Sequence, residues 1–159
     1  MSKIDATLIK KIREETGAGV MRVKNVLEEV KGDKQSLTSD EVEKKALDIL
    51  KKEGLEKVAK REDRVTGQGK VFAYSHHSGK IVSIVELFSE TDFVAKNELF
   101  EQLGKDIALQ VASMGEMDIE SQDFIKDPSK KIIGLIKEVI AKTGENIRLG
   151  RTFRVELGK

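Results

Sequence analysis

Apolar residues recur at helical spacing over the first third of the chain and with a period of two beyond it. Asp5 is a candidate N-cap for a helix carrying Leu8, Ile9 and Ile12. Gly17 and Gly19 bracket a short turn. Val20, Val23, Val26, Leu27 and Val30 form a second stripe that stops near Gly32. Thr38 and Glu41 have the spacing of a capping box. They open a third helix with Val42, Ala46, Leu47, Ile49 and Leu50, for which Gly54 is the expected stop. Three short helices predict a small bundle over residues 1–54. A charged stretch from Lys57 to Arg64 runs into Gly67 and Gly69, so residues 55–69 are expected to link it to a second domain, 70–159.

In that domain Val71 to Ser75 and Ile81 to Phe88 read as strands joined through His76-His77-Ser78-Gly79. The second run is apolar on both registers, which predicts a strand placed centrally or covered on both faces. Residues 92–113 predict one long helix with Leu99, Phe100, Leu103, Ile107 and Val111 on its buried side. Asp127 and Pro128 suit the N-cap and first position of another, carrying Ile132, Ile136, Val139 and Ile140 and ending at Gly144. Ile147, Leu149, Phe153, Val155 and Leu157 alternate with polar residues as a last strand. Strand, strand, helix, helix, strand makes an α+β domain with helices against a small antiparallel sheet.

Composition narrows the function. Apolar residues make up 38% of the 159 and charged residues 36%, and the net charge is +1. That balance lacks the basic excess of a nucleic-acid footprint, and with no Trp the chain offers few stacking platforms. No apolar run approaches the roughly 18 residues of a membrane span, and the N-terminus has no secretory pattern. There is no cysteine, so neither disulfides nor thiolate metal sites arise. A cytoplasmic protein is expected.

Candidate chemistry is sparse. Gly17-Ala18-Gly19 follows a helix rather than a strand and lacks the Gly-Lys-Ser/Thr ending of a phosphate loop, so a helix-to-helix turn is expected there. His76 and His77 would point to opposite faces of a strand. In a loop they could converge, but no carboxylate lies close in sequence. Asp92 with either histidine would make an acid–base pair, yet no nucleophile or oxyanion element accompanies it. The chain is not expected to be an enzyme or to carry a cofactor or metal. Met114 and Met117 read as loop packing, and Lys130, Lys131 and Lys137 as a solvated face. Arg148, Arg151 and Arg154 read as salt-bridge or edge-guarding residues.

The most informative segment is Thr91-Asp92-Phe93-Val94-Ala95-Lys96-Asn97, where a strand pattern gives way to a helical one. Thr91 suits an N-cap and Asp92 the first turn, where a carboxylate complements the helix dipole. Phe93 either begins the helix's buried face, being seven residues before Phe100, or stands out as an anchor for a partner.

This segment resembles the signature of bacterial elongation factor Ts, the guanine-nucleotide exchange factor for elongation factor Tu. Leu8 to Met21 resembles the family's beginning, and Gly144 to Arg148 followed by Phe153 to Leu157 resembles its end. The resemblance implies a ubiquitin-associated-like N-terminal module and no catalytic chemistry. It implies that Thr91, Asp92, Phe93 and Val94 bind elongation factor Tu, with Asp92 and Phe93 inserting into its GTPase domain. There they would disturb the site that holds Mg²⁺ and the phosphates. By motif, Arg13, Val20 and Met21 would contact another GTPase helix. The chain departs from the family at Phe88-Ser89-Glu90, where Asn-Cys and an acidic residue or Gln are usual, and at Val20 and Arg22-Val23. Gln35 to Glu43 looks longer than usual. Short members pair two copies, which implies a homodimer. A small sheet apolar on both registers, with too few helices to cover both faces, points the same way. A runner-up reading is an adaptor that binds ubiquitin-like or ribosome-associated partners through residues 1–54.

Overall fold

A computed structural model describes residues 5–33 and 37–159, and the chain divides between Lys60 and Arg61 into two units. In the first, Asp5 caps helix α1 (Ala6–Thr16) by accepting the Thr7 N–H at 3.0 Å. Gly17 ends it in the left-handed region, φ 70°, its N–H donating to the Arg13 carbonyl at 2.8 Å. Helices α2 (Val20–Asp33) and α3 (Ser39–Ala59) follow. Ile12, Val23, Val26, Leu27, Val30, Val42, Ala46 and Leu50 form one buried core among the three. The Thr38–Glu41 capping box is present with both bonds made. Gln35 lies outside the described residues.

Helix α3 does not stop at Gly54. It runs on to Ala59, and Val58, one turn further, is buried. A glycine stop needs the left-handed conformation, which Gly54 does not adopt. Glu53 is also engaged: the Arg22 Nε donates to it at 3.0 Å while Nη1 reaches Glu29 at 3.1 Å. That fork ties α2 to the middle of α3, and the guanidinium bond holds the Glu53 carboxyl below its ordinary range.

In the second unit, strands β1 (Gln68–Ser75), β2 (Ile81–Ser89) and β5 (Ile147–Glu156) form an antiparallel sheet in the order β1-β2-β5. The doubly apolar run is therefore the central strand. On one face Phe72, Val85 and Leu87 are buried, and helix α5 (Glu98–Met114) packs there through Phe100, Leu103, Ile107 and Val111. Ser83, buried among them, donates its hydroxyl to the Ala108 carbonyl at 2.6 Å. On the other face Val82 pairs with Val155 and Ile84 with Phe153, and all four are exposed. Opposite Glu86 the ladder shifts register, and its carboxylate accepts both the Arg151 N–H and the guanidinium.

Two helix expectations are corrected. Residues 92–113 are not continuous: a single turn, α4 (Asp92–Ala95), precedes α5, because the Asn97 side chain caps the Leu99 N–H at 2.8 Å and restarts the helix. Asp127-Pro128 does not open a helix either. Asp127 accepts from the Ser129 N–H and hydroxyl, and the segment forms strand β4 (Asp127–Lys131) beside β3 (Asp123–Phe124). Helix α6 (Ile132–Thr143) starts later, the Ile132 N–H donating to the Gln122 carbonyl at 3.1 Å. Buried Gln110 anchors this hairpin, donating to Gln122 and to the Asp123 carbonyl and accepting the Ile125 N–H.

Candidate partner-binding site

Strand β2 delivers the chain to the Thr91 turn, and its last residue shapes it: the buried Ser89 hydroxyl donates to the Thr91 carbonyl at 2.8 Å. Thr91 caps α4, its Oγ1 accepting the Val94 N–H at 3.4 Å. The Thr91 N–H and hydroxyl in turn donate to the two oxygens of Glu145, at 3.0 and 2.7 Å. Next to it the Asn146 N–H donates to Glu90 at 2.7 Å. The buried Asn146 amide group donates to the carbonyls of Glu62 and Arg64 at 3.2 and 3.0 Å. Ser89, one of the departures in sequence, and Glu90 are thus structural members of this turn.

The turn divides its apolar side chains. Val94 and Ala95 face the interior at 8% and 4% exposure, while Phe93 is 84% exposed. Its role as the start of a buried face falls to Val94. Asp92 is also exposed and pairs with Lys96 at 3.0 Å. That hydrogen bond and charge hold its carboxyl below the usual carboxylate range. Asp92 and Phe93 therefore form a rigidly based, charged and aromatic projection, with Thr91 and Val94 acting beneath it as cap and anchor.

In the three-helix unit Arg13 lies in the last turn of α1 and Val20 and Met21 begin α2, either side of the glycine turn. All three are exposed, Met21 to 65%. Val23, by contrast, is fully buried, so the Arg22-Val23 pair serves the core and the α2–α3 bridge.

The other candidates resolve into structure. His76 bonds Ser78 in the hairpin, and its ring lies 4.1 Å from that of His77. Among the described residues no three His, Asp or Glu side chains cluster to hold a metal, and no helix is long and apolar enough to cross a membrane. Arg148 lies over the Phe88 ring at 4.6 Å, Arg151 pairs with Glu86, and Arg154 donates to the Ala112 carbonyl and to Glu156. Sequence reasoning missed Glu145, Glu90 and Asn146 as bracing groups. Their signal was indirect: Gly144-Glu145-Asn146 stands in an ordered motif, with nothing local to say what it meets.

The exposed aromatic projection on its braced turn and the exposed apolar helix turn are surface that the packing of their own units leaves uncovered. The sequence model of the family described as elongation factor TS matches residues 90–159. The elongation factor Ts of Leptospira biflexa is 38% identical over 203 aligned positions that cover 98% of both chains. That of Oleidesulfovibrio alaskensis is 34% identical, covering 99% of this chain and 100% of its own. That of Fervidobacterium nodosum is 33% identical over the same shares. The chain belongs to the elongation factor Ts family. An alignment of 203 positions against 159 residues leaves at least 44 positions of the Leptospira protein without a counterpart here.

Proposed function

We propose that this chain accelerates release of GDP from elongation factor Tu by inserting Asp92 and Phe93 into the GTPase domain, where they disturb the Mg²⁺ and phosphate site. The observation that carries the reading is a phenylalanine 84% exposed on a turn whose other apolar residues are buried and whose first residue is hydrogen-bonded to Glu145. Thr91 and Val94 complete the site by fixing that turn. The three-helix unit is read as a ubiquitin-associated-like docking module, with Arg13, Val20 and Met21 meeting the partner. The chain itself carries no catalysis, cofactor or direct nucleic-acid or membrane contact in this reading, and works in the cytoplasm. It acts as a homodimer, and the exposed apolar face of the sheet, with Val71, Val82, Ile84, Phe153 and Val155, supports that pairing.

Linkage sets the energetic requirement. If the chain weakens GDP binding by a given ratio, GDP weakens binding of the chain by the same ratio. A thousandfold effect needs about 4 kcal/mol of differential contact. Burying one Phe is worth roughly 1.5–3 kcal/mol, so Phe93 supplies much of it and a second docking point must supply the rest.

The test is release of a fluorescent GDP analogue from the cognate elongation factor Tu, with the intact chain and with Asp92→Ala/Phe93→Ala. Acceleration that the folded double variant loses is the expected result. Equal acceleration by both would move the mechanism away from this turn. None with either would leave only the adaptor reading.

A further inference from the structure

An exposed side chain can act as a wedge only if its base holds one orientation, and α4 by itself cannot ensure that. It is a single turn, and an isolated turn costs more order than its bonds return. Its own cap bond is long, 3.4 Å from the Val94 N–H to Thr91 Oγ1. The firm contacts come from far along the chain. Glu145 spends one oxygen on the Thr91 N–H and the other on its hydroxyl, at 3.0 and 2.7 Å. A carboxylate accepts only, and bonds to it are charge-assisted and about twice as strong as neutral ones.

The arrangement is reciprocal. Residues 90 and 91 close the β2–α4 junction, and residues 145 and 146 close the α6–β5 junction. Glu145 takes the backbone N–H of Thr91, and Glu90 takes the backbone N–H of Asn146. Gly144 makes the approach possible: its φ of 79° ends α6 in the left-handed region and turns Glu145 back toward β2. Asn146 then fastens the pair to the Glu62 and Arg64 carbonyls.

We infer that Glu145 is a positioning residue for Phe93, holding the Thr91 turn so that the exposed ring is presented to the partner in one orientation. The inference rests on the exchange reading above and deepens it. Glu145 touches no partner in this account; it acts through Thr91. A purely structural role would lower stability alone. A positioning role lowers the rate at which bound partner releases GDP, with less effect on how tightly the chain docks.

The test uses the full chain with Glu145→Ala, Glu145→Gln and Thr91→Val, and with Ser83→Ala as a destabilised control remote from the turn. Stopped-flow release of a fluorescent GDP analogue is followed as a function of chain concentration. Glu145→Ala should lower the saturating rate about tenfold, as loss of charge-assisted bonds implies. The half-saturating concentration should move by less than about threefold. Glu145→Gln keeps one acceptor oxygen and should recover part of the rate. Ser83→Ala should lower the melting temperature and keep the rate. Wild-type chain that is fast, with Phe93→Ala slow and a folded Glu145→Ala within about twofold of wild type, would overturn the inference. So would an equal loss in Ser83→Ala. If Glu145→Ala does not fold, Glu145→Gln and Thr91→Val decide by the same criterion. A wild-type chain that releases no GDP defeats the exchange reading. Positioning is then judged by amide exchange at Val94 in Glu145→Gln, which leaves the Thr91 cap acceptor in place; exchange should quicken if it is correct and stay unchanged if it is not.

Discussion

Two helical glycines should respond to alanine with opposite signs. Gly104 lies on α5 against β1, and a Cβ there would stand 2.2 Å from Phe72 Cε2 and 2.3 Å from Cδ2. Carbon atoms sit comfortably at roughly 3.5–4.0 Å, so the ring would have to retreat by more than an ångström. It has nowhere to go: Phe72 is buried, with the Phe100 ring 6.0 Å away and tilted by 53°. Overpacking of this kind costs about 1–3 kcal/mol, against which alanine regains about 0.8–1.0 kcal/mol of helix propensity. A clash this deep belongs in the upper half of the overpacking range, so Gly104→Ala should lose about 1–2 kcal/mol. Gly134, in α6, has no atom within 4 Å of a built Cβ, and Gly134→Ala should gain about 0.5–1 kcal/mol. Urea unfolding followed by tyrosine fluorescence isolates the relevant unit, since Tyr74 is the single tyrosine and there is no tryptophan. Phe72→Leu added to Gly104→Ala should restore part of the loss, a coupling that a double-mutant cycle measures. A Gly104→Ala chain as stable as wild type, or a pair of shifts with the same sign, would refute the packing argument.

Phe93 and Val94 should separate function from stability. Phe93→Ala should change unfolding free energy by less than about 0.5 kcal/mol while slowing GDP release, whereas Val94→Ala should cost about 1–2 kcal/mol by opening a cavity; both are read by urea titration beside the exchange assay. Glu86 should titrate far below an ordinary glutamate, since the Arg151 hydrogen bonds hold its pKa down to about 2. Because the folded value lies below the unfolded one, its stabilising contribution is complete above the ordinary glutamate value of 4.5 and is lost as pH falls toward about 2. Carboxyl ¹³C NMR should show that value rise toward the ordinary one in Arg151→Ala, and an unchanged titration would defeat the assignment. Val155→Glu, on the exposed sheet face, should turn a sedimenting dimer into a monomer with its fold intact; a wild-type monomer would rule out the pairing.

Most helix faces and the central strand were legible because they depend on local periodicity, although Leu99 and Ile49, read into those faces, are exposed. Ile12, Val23, Val26 and Leu27 are all fully buried, as their spacing requires. The failures came where one residue type serves two grammars. Asp-Pro opens helices, but Asp127 here accepts from Ser129 and shapes a hairpin. Gly54 reads as a stop only if the chain turns left-handed, and a helix held by the Arg22–Glu53 fork has no reason to do so. Asn97 sat inside an apolar stripe whose period ran on past it, so its cap went unseen.

The Thr91 turn shows the same limit at the site itself. Periodicity made Phe93 a candidate for burial. The outcome turned on how α4 leaves β2, at a turn whose first residue, Thr91, donates twice to Glu145, 54 positions away. Spacing within a helix cannot reveal such a contact, because carboxylate and hydroxyl become neighbours only when α6 ends at Gly144 and β5 joins the sheet. Both sides of the clamp lie within residues 90–159, the span matched by the family model. The Leptospira protein has at least 44 aligned positions more than this chain, and the clamp is complete here without them. The part of the second unit that presents Phe93 is thus separable from the length that the relatives add. In this chain Thr91, Glu145 and Asn146 hold the Phe93 turn by hydrogen bonds with no contribution from that added length.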